Sequence, residues 1–222
     1  IKVTPKQVFA LQTPYHIAQA LAAKEGPSEI TGNELLNDNI SSSSEYPMAP
    51  IQHWFFEQQL KHAAHWNQSV LLSHDNVLDV TCFTKAVEQV LATHPQLAMN
   101  FTPTKNSEYQ QFIGNHQVEV CSHTIHSEAL QSQLSSLQGT LSFSGTAPIR
   151  VDLFKLSDQP QGRILFTAHH LVIDAVSWRI LVTQIWQTYQ LLSHGLSTDG
   201  SLETYQTTSY QAWVDDLLHW PE

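Results

Sequence analysis

Cysteine is scarce in this chain: Cys82 and Cys121 are the only two in 222 residues. Two thiols cannot form the disulfide framework of a small secreted domain, and they fit no C-x-x-C or related zinc spacing. That usage points to a reducing, cytoplasmic setting. Positive charge is also short, with 10 Lys plus Arg against 20 Asp plus Glu and a formal net charge of −10. Such a surface repels a phosphate backbone, so nucleic acid is excluded as an expected partner. No apolar run approaches the length of a membrane span, and the opening "IKVTPKQVFALQ" lacks the charged start and apolar stretch of a signal peptide. No internal repeat is visible. The chain begins without methionine and stops at "LLHWPE", directly behind a helical pattern, so it is expected to be a piece of a longer polypeptide.

What is present is a globular composition, 41% hydrophobic, enough for a full core. Thr4-Pro5 and Thr13-Pro14 are each a capping hydroxyl followed by the residue best tolerated in a first helical turn. Behind the second, Ile17 and Leu21 lie one helical turn apart and Gly26 stands where a C-terminal cap would. Two short helices cannot bury a core alone. The following text, "KEGPSEITGNELLNDNISSSSEYPMAP", is polar and rich in Ser, Asn, Gly and Pro, and reads as a linker.

After Pro50 the pattern becomes mixed helix and strand. "IQHWFFEQQLKHA" predicts a helix, "QSVLLS" a strand, and Phe83, Val87, Val90 and Leu91 one face of a second helix. "QLAMNF" predicts a strand, and "EYQQFIG" with "QVEVCS" a hairpin across Asn115. A helix is expected over 127–138. "PIRVDLFKL" and "GRILFTAH" predict two strands joined by the turn-rich "SDQPQG", and helices follow over about 176–192 and 210–220.

The second of those strands leads into "HHLVIDAVSWRIL". With 13 histidines in the chain an adjacent pair is expected by chance, so its position carries the information. It sits at a strand-to-helix junction, which holds side chains rigidly while exposing them. A neutral imidazole, with an ordinary pKa of about 6.5, can accept a proton and return it. Three readings stay open from the residues alone: a general base, a structural turn with Asp174 as N-cap and Ser177 solvating the first helical turn, and a His-His-Asp metal site. Adjacent residues at a strand end point to opposite faces, which disfavours the metal. No G-x-S-x-G context supports a serine nucleophile.

The same residues carry a resemblance. "HHLVIDAVSWRIL" resembles the H-H-x-x-x-D-G signature of condensation-type domains in nonribosomal peptide synthetases, and its "VSWRIL" continuation resembles the epimerization subtype. "PMAPIQHWFFEQ" with "HWNQSVLL", and "TTSYQAWVDDLLHW", resemble two further segments of epimerization domains in the same order. Upstream, "IKVTPKQVFALQTPYHIAQALA" is similar to the last helices of a peptidyl carrier (thiolation) domain.

The resemblance implies an α+β fold, a chloramphenicol acetyltransferase-like lobe with a mixed sheet and flanking helices, the first half of a two-lobed V. It divides the chain into carrier helices over 1–25, a linker over 26–46 and the first lobe over 47–222. It implies epimerization, L to D, of the α-carbon of an aminoacyl or peptidyl thioester. His170 would be the acid/base, with His169 and Asp174 shaping the loop, and Ala175, Ser177 and Trp178 along the substrate or pantetheine tunnel. No cofactor is implied for the domain itself: the substrate arrives on the carrier's 4′-phosphopantetheine. The implied partners are the carrier domain of the same polypeptide, the second lobe, which would bring a glutamate as second acid/base, and the downstream synthetase module.

Two positions depart from the pattern. Ala175 stands for the signature glycine, adding a methyl and restricting positive φ. "ATHPQLAMNF" has Thr93 and Ala98 where the family carries arginine, leaving Arg150 or Arg179 as candidate partners for Asp174. A peptide-bond-forming condensation domain, and a catalytically silent carrier-docking domain, are the competing expectations.

Overall fold

The computed structural model describes residues 45–74, 78–105, 109–114, 118–145, 147–198 and 209–219. The chain divides into two units, Ile1–Asn39 and Ile40–Glu222. The expected carrier helices and nearly all of the expected linker lie outside the described residues.

The elements run β1 (Glu45–Tyr46), α1 (Pro50–Glu57), β2 (Asn67–His74), α2 (Val80–Ala92), β3 (Met99–Pro103), β4 (Tyr109–Ile113), β5 (Val120–Ile125), α3 (Leu130–Gln138), β6 (Ile149–Leu156), β7 (Gly162–His169), α4 (Ala175–Ser193) and α5 (Tyr210–Leu218). The main sheet has the order β2-β7-β6-β5 and is mixed: β2, β7 and β6 pair antiparallel, and β5 runs parallel to β6. A smaller antiparallel sheet has the order β1-β4-β3. The fold is therefore mixed α/β, with a mixed sheet flanked by helices.

The two central strands of the main sheet are apolar on both faces because both faces are covered. On one side Phe83, Val87 and Val90 of α2 and Trp178, Leu181 and Ile185 of α4 pack on Val151, Leu153, Ile164, Phe166 and Ala168. On the other, Leu134 and Leu137 of α3 meet Phe154, Leu156 and Leu165. A third cluster of Met48, Met99 and Phe101, with Phe56, Tyr109 and Phe143 against it, joins the small sheet to α1.

Several expectations are corrected. The helix expected over 51–63 stops at Glu57, because Gln59 takes φ 47° and residues 58–62 are exposed, with no apolar face to bury. The strand expected from Gln96 begins at Met99, behind a 3₁₀ turn over Pro95–Ala98. The hairpin across Asn115 does not form: β4 pairs with β3 and β1, whereas β5 joins the main sheet. The reason is α3, which follows β5 and provides the crossover that parallel pairing with β6 requires. Glu45 and Tyr46, assigned to the linker, form the edge strand β1.

Candidate active site

β7 lies between β2 and β6, so its end is held from both sides. The His169 backbone N–H donates to Pro148 O at 2.8 Å and the His170 N–H to Trp66 O at 2.9 Å. Val172 N–H then closes a turn onto His169 O at 3.0 Å. The pleat sends the two histidines to opposite faces.

His169 goes inward and is completely buried. Phe55 and Phe143 meet its ring edge-on, at centroid distances of 5.6 and 5.1 Å. Its Nε2–H donates to Ala63 O at 2.9 Å, while Nδ1 accepts from Leu171 N–H at 3.2 Å. One ring nitrogen must therefore carry a proton and the other a lone pair, which defines a neutral imidazole. Burial drives its pKa below the ordinary histidine value. His169 holds the turn and has no open nitrogen for a substrate.

His170 faces outward and is exposed. Its Nδ1 lies 2.8 Å from Ile173 O, an acceptor, so Nδ1 carries the proton and Nε2 the lone pair. The side-chain amide of Gln68 donates to that lone pair at 3.2 Å. Gln68 is itself oriented by Trp178, whose indole N–H donates to Gln68 Oε1 at 3.1 Å. Gln68 reaches His170 because β2 pairs with β7 in the register Gln68↔Ala168, placing both side chains diagonally on one face.

Asp174 caps α4. Its Oδ1 accepts from Ser177 N–H at 2.7 Å and from Ser177 Oγ–H at 2.6 Å. The hydroxyl of Ser177 thus serves the carboxylate rather than the helix backbone. These hydrogen bonds, the side-chain one foremost, hold the Asp174 pKa below its ordinary value. Arg150 is engaged elsewhere, in a two-pronged pair with the buried Asp152 at 2.7 Å for each prong. Ala175 is the first residue of α4, and among the described residues the only non-glycine with positive φ is Gln59. Ala175 therefore occupies this position without backbone strain.

An open cavity of about 600 Å³ borders this loop. His170, Asp174 and Ser177 line it together with Ile180, Leu97, Met99 and Ile51. Trp178 instead turns into the core, 6% exposed, and Ala175 lies at the exposed start of α4. Gln52 links three elements at the cavity wall. Its Oε1 accepts from Ala49 N–H at 2.9 Å and from Tyr210 Oη–H at 2.8 Å, and its Nε2–H reaches Leu171 O at 3.4 Å. Burial pushes the Tyr210 phenol upward. Among the described residues no three His, Cys, Asp or Glu side chains come together as a metal site.

Gln68, Gln52 and Tyr210 are the residues that reading along the chain did not single out. Only Gln68 left a usable signal. It is polar on the face of β2 where Val70 and Leu72 pack into the core, a break in the pattern that marks functional positions.

The family model described as Condensation domain matches residues 42–219. A linear gramicidin synthase of Brevibacillus parabrevis is 30% identical over 226 residues, covering 98% of this chain and 3% of that protein. A surfactin synthase of Bacillus subtilis is 25% identical, covering 98% of this chain and 6% of that protein. Among solved structures, the epimerization domain from the third module of tyrocidine synthetase B matches with a TM-score of 0.69 at 27% identity, over 78% of this chain and 40% of that one. The first condensation domain of the CDA synthetase matches with a TM-score of 0.66 at 16% identity, over 79% of this chain and 45% of that one, a likeness of fold. The chain thus spans a small part of the curated relatives and less than half of these solved domains.

Proposed function

The chain belongs to the condensation-domain family of nonribosomal peptide synthetases, and on that premise we propose that it is the first lobe of an epimerase acting on carrier-bound aminoacyl or peptidyl thioesters. The observation that carries the proposal is the pair of histidine environments. His169 is spent on the turn, whereas His170 is exposed at a cavity with its proton held on Nδ1 and its lone pair on Nε2. A general base needs that arrangement, a neutral imidazole with its proton held away from the cavity and its lone pair on the other nitrogen. The 27% identity to a solved epimerization domain supports that subtype, together with the "VSWRIL" continuation.

In the proposed reaction His170 Nε2 removes the α-proton of a thioester. The Cα–H electron pair moves into the enolate, and a second acid returns a proton to the opposite face. The thioester makes that proton more acidic than an amide would, and the family's phosphopantetheine arm delivers it without a cofactor bound to this domain. The relatives' matches reach over 98% of the chain, beyond residues 42–219, which supports an upstream carrier segment. The second lobe and the downstream module complete the proposed partners.

The test uses the complete module with an L-aminoacyl or peptidyl group on its own carrier. Incubation in D₂O should place deuterium at the α-carbon and yield a mixture of L and D. His170→Ala should abolish both while carrier loading persists, because a methyl group cannot relay a proton. Peptide formation without α-exchange would assign the chain to a condensing domain. Neither reaction from a properly loaded carrier would make it a silent docking domain.

A further inference from the structure

We propose that Gln68 is a catalytic residue whose side-chain amide donates a hydrogen bond to the enolate oxygen formed when His170 removes the α-proton. The assignment rests on the epimerase reading above.

The geometry supplies the donor at the required place. Gln68 Nε2 is 3.2 Å from His170 Nε2, the nitrogen that accepts the substrate proton. The Trp178 indole N–H, donating to Gln68 Oε1, fixes the amide so that its NH₂ rather than its carbonyl faces the histidine. Trp178 is buried against Phe166, and Gln68 sits on β2 in register with β7, so the donor is built on rigid elements. The thioester carbonyl is bonded directly to the α-carbon. A substrate presenting its α-proton to His170 Nε2 therefore brings its carbonyl oxygen into the reach of the adjacent amide.

The protonation change makes this contact specific to the reaction. In the resting state Gln68 donates to the Nε2 lone pair, so its N–H is satisfied. When the Cα–H bond breaks, the proton goes to Nε2, the bond's electron pair becomes the C=C bond of the enolate, and the carbonyl π pair moves onto oxygen. Nε2 has a single lone pair, so the substrate Cα–H displaces the Gln68 N–H from it, and once protonated Nε2 cannot accept from Gln68 again. The displaced amide is left beside the carbonyl oxygen on which the oxyanion develops. Gln68 transfers no proton; the second acid reprotonates the α-carbon, which returns the electrons to a C–H bond, and the original hydrogen bond re-forms once His170 Nε2 gives up the proton it took. A donor paired to charge that develops in the transition state raises kcat rather than uniform binding.

The test is α-proton exchange in D₂O by the complete, loaded module carrying Gln68→Met, which removes both donors at similar volume, or Gln68→Glu, which keeps the shape and the acceptor for Trp178. Thermal unfolding and carrier loading establish that each variant is folded. Both should lose about 10²-fold in kcat, with KM for the carrier within about twofold of the parent. The loss should persist on the alkaline plateau of the pH–rate profile. A loss confined to the acidic limb, with the plateau unchanged, would mean that Gln68 merely orients His170 and would overturn the assignment. Absence of exchange in the unsubstituted module would overturn the epimerase reading and this assignment together. Exchange in the parent that Gln68→Met leaves undiminished would overturn the assignment alone.

Discussion

Asp174→Ala should destabilise the folded unit by about 1 kcal/mol, the usual cost of losing an N-cap. The structure specifies what is lost: one carboxylate oxygen accepts both the Ser177 N–H and the Ser177 hydroxyl. For a unit of this size that cost lowers Tm by about 2–4 °C, measurable by circular dichroism or urea titration. Asp174→Asn tests the reason. An amide oxygen accepts the same N–H, and asparagine caps as well as aspartate, so its loss should be much smaller than that of alanine. If the family aspartate instead acted through a cation, asparagine would be as damaging as alanine, and the effect would shrink with added salt. Equal losses for Asn and Ala would refute the capping account. The pH dependence adds a sign. The folded pKa of Asp174 lies below 3.8, so its stabilisation is present above the unfolded value and is lost as pH falls through the lower folded value. Asp174→Ala should therefore lose its deficit relative to the parent below about pH 3.8.

Two further outcomes follow from the interior. His169 is buried and neutral with a lowered pKa, so the unfolded chain binds a proton that the folded chain does not. Stability should fall as pH drops below about 6.5, and His169→Gln should flatten that slope in a series of Tm measurements. A slope identical to the parent's would contradict the buried neutral state. Arg150→Met should cost about 3–5 kcal/mol because it strips the two-pronged partner from a carboxylate with no exposure, leaving it, among the described residues, His123 at 2.7 Å. Arg150→Met with Asp152→Leu should recover most of that loss in a double-mutant cycle by urea unfolding, and a single-variant loss below about 1 kcal/mol would refute the ion pair's role.

Much of the site was legible along the chain because its signals are local. A strand running into a cap followed by an amphipathic helix needs only neighbouring residues, and the parity of adjacent strand positions already separates His169 from His170. The buried face of α2 came from spacing alone, since Phe83, Val87, Val90 and Leu91 recur at helical intervals and all are buried. The hairpin across Asn115 failed for the opposite reason. β4 and β5 are adjacent in sequence, but which strand each pairs with is decided by surfaces far along the chain.

Local pattern sufficed for the order of elements over most of 50–219 and for the turn that carries His170, and it offered Asp174 as a cap and a family resemblance. These are set by residues within one or two turns of each other, where backbone sterics and side-chain reach suffice. Packing in three dimensions fixes which nitrogen of His170 bears its proton, that Arg150 is held by Asp152, and that Gln68, oriented by Trp178, meets the histidine. The His170–Ile173 and Arg150–Asp152 pairs are local in sequence, whereas the Gln68 contacts join positions about a hundred residues apart, 102 to His170 and 110 to Trp178. They exist because β2 pairs with β7 and α4 packs across that pair, a long-range register that no local pattern encodes.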